Sequence, residues 1–308
     1  MPININKELP AYSKLIEENI FVITEDRAAR QDIRPMNILI LNLMPQKIVA
    51  ETQLLRLLSN TPLQLNIEFL RVLRDTKHTS KDHLESFYRT FEEIRTRKFD
   101  GLIVTGAPVE NLRFEDVSYW SELCRIFDWA EHHVYSTLYI CWGAMAALYH
   151  FYGVPKHRTT RKVSGVYRHH LENPGYSLTR GFDDYFHAIH SRHAEVRRED
   201  IENNPRASDQ LVLLSYSPEG GLYLLQNNNG RKVFVTGHAE YEIGTLGQEY
   251  LRDQDRSLNP DIPYNYFPEN DTEKMPQMNW RAHGTLLFVN WINYHVYQET
   301  PYRLEDIH

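Results

Sequence analysis

The sequence predicts an α/β fold: a mostly parallel sheet with helices on both faces and antiparallel additions in the C-terminal half. Three observations carry that reading. Apolar strand-like runs alternate with segments of helical periodicity through the first half. Strands separated by helices of this length form parallel sheets covered on both faces. After Gly153 the helical segments give way to short strand candidates at hairpin spacing.

In chain order, residues 37–43 read as a buried strand, and 47–60 as a helix with leucines at 54, 55, 57 and 58. Residues 65–72 alternate as a strand. Residues 81–98 read as one charged helix with a stripe of Leu84, Phe87, Phe91 and Ile94. The strand at 100–105 runs into the turn Gly106-Ala-Pro108, and 120–132 is helical. The strand 136–140 then meets Cys141 and the helix that follows it. Later strand candidates are 162–167, 194–196, 211–214, 221–225 and 232–236, with a turn at 226–230. Residues 260–280 read as a long loop, and 282–297 as a closing helix. No internal repeat, low-complexity segment or linker interrupts the pattern, so residues 1–308 are expected to form a single domain.

Composition narrows the class. The chain has 308 residues, 42% of them hydrophobic and 12% aromatic, enough for a full core. A net charge of -7 argues against general nucleic-acid or membrane-surface binding, although a local basic patch would still serve an anionic ligand. Two cysteines, Cys124 and Cys141, exclude a disulfide scaffold. Residues 1–7 lack the apolar stretch of a signal peptide, and no run reaches the roughly 20 apolar residues of a membrane span. The expected location is cytoplasmic.

Cys141 carries the most chemistry. It sits at a strand-to-helix bend, where a nucleophile is held clear of the sheet and the helix N-terminus favours a thiolate. His238 and Glu240 follow another apolar run, so a parallel sheet would bring them to the same edge as Cys141. Residues two apart in extended chain share a side, which lets Glu240 orient His238. Asn42–Pro45 and Thr105–Pro108 end on that edge too. Thiol, imidazole and carboxylate are the parts of an activated nucleophile. Cys124, inside an amphipathic helix, reads as a core residue.

These features resemble class I glutamine amidotransferases, with their flavodoxin-like core. A closer resemblance spans nearly the whole chain. Asn42-Leu-Met-Pro-Gln-Lys47, Thr52-Gln-Leu-Leu-Arg-Leu-Leu-Ser-Asn60, Phe99-Asp-Gly-Leu-Ile-Val-Thr-Gly-Ala-Pro108, His190-Ser191 and Glu249-Tyr-Leu-Arg-Asp253 are similar to the MetA-type homoserine O-acyltransferases. The resemblance implies that Cys141 is the acyl-accepting nucleophile, His238 the general base and Glu240 its partner. It implies that Lys162, Ser191 and Arg252 bind substrate and that Lys47 lies near the active site. Read without it, these charged and polar residues would be solvated surface. It further implies homoserine O-acetyltransferase activity, acetyl passing from acetyl-CoA to L-homoserine through an acetyl-cysteine, as the first committed step of methionine biosynthesis. The acyl-enzyme chemistry needs an oxyanion hole, with the backbone N–H of Trp142 as one donor and the Asn42–Lys47 loop as the expected source of the other. Arg158, Arg161 and Lys162 form a basic cluster suited to CoA phosphates, though solvated charge is the plainer reading of it. Acetyl-CoA is a co-substrate, no cofactor or metal is expected, and the resemblance suggests a homodimer.

Glu110 bears on the acyl group. In the family, glutamate here goes with acetyl-CoA and glycine with succinyl-CoA. A glutamate fills the room that the succinyl carboxylate needs and repels its charge. The alternatives are homoserine O-succinyltransferase, serine O-acetyltransferase, a glutaminase and a non-enzymatic binding protein. Against the glutaminase, Tyr139-Ile-Cys-Trp-Gly143 has glycine on one side of the cysteine only.

Overall fold

The computed structural model describes residues 3–18, 20, 22–23, 34–73 and 79–307; Met1 and Pro2 of the N-terminal segment lie outside them. The strands in chain order are β1 (Ile3–Asn4), β2 (Val22–Ile23), β3 (Met36–Leu41), β4 (Leu65–Leu70), β5 (Tyr88–Arg89) and β6 (Phe99–Val104). They continue as β7 (Val134–Ile140), β8 (His157–Leu171), β9 (Tyr185–Glu195), β10 (Leu211–Ser217), β11 (Gly221–Asn227) and β12 (Lys232–Val235). All join one sheet in the order β2-β1-β4-β3-β6-β7-β12-β11-β10-β8-β9, with β5 paired to β4.

Pairing is parallel from β2 through β12 and antiparallel from there to β9. The change of direction expected after Gly153 is therefore real, and β12 returns to complete the parallel half. Successive side chains of the central strands point to opposite faces. Leu39, Leu41, Leu102, Val104 and Tyr139 pack in one core with residues of the helices Trp120–His133 and Trp142–Tyr152. Ile38, Ile40, Ile103, Leu138 and Ile140 pack in a second core with residues of Pro10–Glu17, Lys47–Leu58 and Arg281–Asn290.

Two expected helices differ. The segment 81–98 is broken into Lys81–Phe87 and Phe91–Ile94 by the two residues of β5. Tyr88 is drawn into the core, where its hydroxyl donates to Glu51 Oε1 at 2.6 Å. Thr90 then starts a new helix through a capping box with Glu93. The closing helix is α-helical over Arg281–Asn290 and π-helical over Trp291–Tyr297. The long loop after residue 260 is tied to β8, since Tyr264 N donates to Ser164 O and Val166 N to Tyr264 O. Among the described residues, no helix is long and apolar enough to cross a membrane.

Candidate active site

β7 and β12 are adjacent and parallel, with Ile140 opposite Val235, so the residues that follow them emerge together. Cys141 donates its backbone N–H to Val235 O at 2.7 Å and takes φ 49°, ψ −115°. That conformation is unusual for a residue with a side chain and costs on the order of 1–3 kcal/mol. It turns the strand into the Trp142–Tyr152 helix within one residue. Gly143 allows the tight turn, because a Cβ there would lie 2.6 Å from Thr105 O. Gly106 closes the other side: its Cβ would stand 3.2 Å from Cys141 Cβ, 3.6 Å from His238 Cε1 and 3.7 Å from Cys141 Sγ. The thiol and the imidazole therefore face one small space beside the Gly106 turn.

His238 is buried and fixed from three sides. Its backbone N–H donates to Ile189 O at 2.9 Å, its Nδ1 pairs with Glu240 Oε1 at 2.7 Å, and its ring stacks on Tyr241 at 4.1 Å between centroids. With Nδ1 engaged, Nε2 is left for chemistry. Burial opposes a charged ring, but the Cys141 thiolate and the Glu240 carboxylate outweigh it, and the imidazolium is held well above its usual range.

A polar chain leads away from this centre. Tyr241 donates its hydroxyl to Glu249 Oε1 at 2.7 Å, and Ser191 donates to Glu249 Oε2. Lys162 Nζ reaches Glu249 Oε2 at 3.2 Å and Asp253 Oδ2 at 3.0 Å. Burial works to raise the Glu249 carboxyl, but Lys162, Ser191 and Tyr241 outweigh it and hold it low. Arg252 is half exposed, and its Nη2 lies 2.8 Å from Asp253 Oδ1. The helix Thr245–Asp255 places Glu249, Arg252 and Asp253 close together by their i, i+3, i+4 spacing. Lys162 and Ser191, which the family resemblance marks as substrate-binding, are thus linked to His238 through Glu249 and Tyr241.

Lys47 is buried, not solvated: its ammonium donates to the carbonyls of Asn42 and Met44 and ties the loop after β3. Trp142 is buried, its ring 5.9 Å from that of Phe114 and 6.2 Å from that of Tyr119. Glu110 is half-buried, four residues beyond Gly106, and Lys156 Nζ donates to its carbonyl and, at 2.6 Å, to that of Leu112. Cys124 lies elsewhere, on the Trp120–His133 helix, and burial pushes its thiol up to about 11.

The family model described as homoserine O-succinyltransferase matches residues 2–302. The chain belongs to the homoserine O-acyltransferases. Among its relatives, the homoserine O-acetyltransferase of Clostridium acetobutylicum is 56% identical over 99% of this chain and 100% of its own length. Those of Thermotoga neapolitana and Bacteroides thetaiotaomicron are 55% and 54% identical over the full length of both chains. Solved structures show the fold. A glutamine amidotransferase from Thermotoga maritima has a TM-score of 0.53 at 10% identity, covering 85% of this chain and 98% of that one. One from Methylobacillus flagellatus has 0.51 at 11%, covering 88% and 99%. The amidotransferase-like fold expected for this acyltransferase family is therefore present.

Sequence reasoning missed Tyr241 and the role of Glu249, although Glu249 stood in a quoted motif. The signal for Glu249 was its spacing to Arg252 and Asp253. Behind the site lies a buried pair whose mutual contact the sequence does not reveal, His169 and His190, with their Nε2 atoms 3.0 Å apart. Burial pushes His169 down to about 3 and His190 well below its usual range. Both rings are therefore neutral when folded at neutral pH, while in the unfolded chain they take up protons near pH 6.5. The stabilising effect of His169 is whole above that value and falls as pH drops toward about 3. Such a histidine removes about 1.4 kcal/mol of stability per pH unit in the window set by His169. His169→Gln is expected to flatten the loss between pH 6.5 and 5 by about 2 kcal/mol in denaturant unfolding. An unchanged pH dependence would refute it.

Proposed function

We propose that the chain transfers acetyl from acetyl-CoA to the side-chain hydroxyl of L-homoserine through an acetyl-Cys141 intermediate. The observation that carries this reading is the meeting of Cys141, His238 and Glu240 at one end of β7 and β12 in a member of this family. The Cys141 thiolate attacks the thioester carbonyl carbon, the C–S bond to CoA breaks, and His238 Nε2 returns its proton to the departing sulfur. Homoserine then gives its hydroxyl proton to His238 and its oxygen attacks the acetyl-cysteine, releasing the thiolate. Glu240 steadies the imidazolium in both halves. Lys162, Ser191 and Arg252 receive the amino-acid acceptor.

The tetrahedral oxyanion takes one donor from Trp142 N–H. The second comes from the Gly106–Ala107 turn, in place of the Asn42–Lys47 loop. In that loop Leu43 N already donates to Thr105 Oγ1 at 2.8 Å and Met44 N to Asn42 Oδ1 at 3.1 Å, whereas Gly106 borders the thiol itself.

Acetyl is favoured over succinyl by Glu110 and by relatives named for acetyl transfer at 53–56% identity. Lys156 holds the backbone on either side of Glu110 through the carbonyls of Glu110 and Leu112. The test is a matrix of acetyl-CoA and succinyl-CoA against homoserine and serine. Acetyl-CoA with homoserine is expected to be the best pair. Glu110→Gly is expected to shift the ratio of kcat/KM toward succinyl-CoA by about tenfold or more, equal to about 1.4 kcal/mol. An unchanged ratio would remove Glu110 from donor selection.

A further inference from the structure

The hairpin of β8 and β9 is irregular at one place. Arg158 pairs with Ala194 and Val163 with Arg192, so residues 159–162 of β8 stand opposite His193 alone. The surplus residues bulge within the strand and, with residues 258–261, line an open cleft of about 640 Å³. This lies within the roughly 300–1,000 Å³ of small-molecule sites. Its lining includes Arg158, Arg161, Lys162 and His193, and also the carboxylates of Asp261 and Asp253, which pair with Arg161 and Lys162. Lys162 is the shared wall: it lines the cavity and also joins Glu249, which is bonded to the Tyr241 stacked on His238.

We propose that this cavity receives the 3′-phosphorylated ADP end of the acyl-CoA donor, with the pantetheine arm passing Lys162 toward Cys141. The proposal rests on the acetyl-CoA reading above. Arg158 has no ion-pair partner among the described residues, so its guanidinium is free for bidentate contact with a phosphate. Arg161 is held by Asp261 at 3.0 Å, but both side chains are mostly exposed, and such a pair opens readily. Leu258, 62% exposed at the rim, offers apolar surface to the adenine or the pantetheine methyls.

The probe is adenosine 3′,5′-bisphosphate, titrated by calorimetry into the whole protein. Wild type is expected to bind it, and Arg158→Glu to weaken binding by about tenfold or more. In transfer assays Arg158→Glu should raise KM for acetyl-CoA by a similar factor. It should leave kcat/KM for S-acetyl-N-acetylcysteamine, a thioester without the nucleotide, within about twofold. Arg158→Lys, which keeps the charge, should recover most of the loss. Absent binding to wild type, undiminished binding to Arg158→Glu, or equal losses with both donors would each overturn the assignment. Wild type that takes acetyl from neither donor would sink the acetyl-transfer reading, and the bisphosphate titration would still decide the pocket.

Discussion

Cys141→Ala is expected to lower acetyl transfer by about ten-thousand-fold or more while leaving the fold intact. The loss is large because no other group can carry the acetyl. The remaining thiol, Cys124, sits on the Trp120–His133 helix with its pKa pushed up to about 11. The fold should survive because alanine can adopt the same backbone, and Gly143 and the Val235 hydrogen bond, not the sulfur, hold the turn. A circular-dichroism melt within a few degrees of wild type would check that. Acetyl-CoA added alone to wild type should leave one acetyl group on the Cys141 peptide by mass spectrometry, and none in the variant. Initial rates against both substrates should give parallel lines. Intersecting lines, or a variant with substantial residual turnover, would remove the covalent intermediate.

The two-residue strands β1, β2 and β5 and the helix Pro10–Glu17 are too short or too weakly patterned to read. The central strands of the parallel half, β3, β4, β6, β7 and β12, were legible because each is a short apolar run. Cys141, His238 and Glu240 were legible for the same reason: parallel strands end on one edge, so their position follows from where β7 and β12 stop. What local pattern could not supply was contact across the sheet. β9 is 11 residues long but only 194–196 read as strand, because Tyr185–Glu195 contains three histidines, an arginine and a serine whose partners come from distant segments. Lys47 looked solvated, yet it is buried by satisfying carbonyls of its own loop. Helical periodicity over 81–98 was genuine, but it could not register that Tyr88 is pulled inward by Glu51, a residue of another helix. Glu249 and Tyr241 belong to the same class: their importance lies in whom they meet.

Glu240→Gln is expected to slow alkylation of Cys141 at neutral pH by about a hundredfold and acetyl transfer by at least as much. The reason lies in what holds the charge on His238. Burial disfavours the imidazolium, and two anions, the Cys141 thiolate and Glu240, overcome it. Glutamine can still accept from Nδ1, so the ring stays oriented against Tyr241, but half of the opposing charge is gone. The imidazolium is then less well held, and the ion pair is weakened without loss of geometry. The same balance explains the turnover. Once Cys141 is acetylated its charge vanishes, burial faces Glu240 alone, and His238 gives up its proton more easily. Attack on the donor thus converts the proton donor into the base that the second step requires. Iodoacetamide rates measured from pH 5 to 10 test this directly. In Glu240→Gln the rate profile should differ from wild type, because the His238 charge has lost one of its two anionic partners, while Cys124 stays unreactive. An unshifted profile would mean that Glu240 only orients the ring and takes no part in stabilising the ion pair.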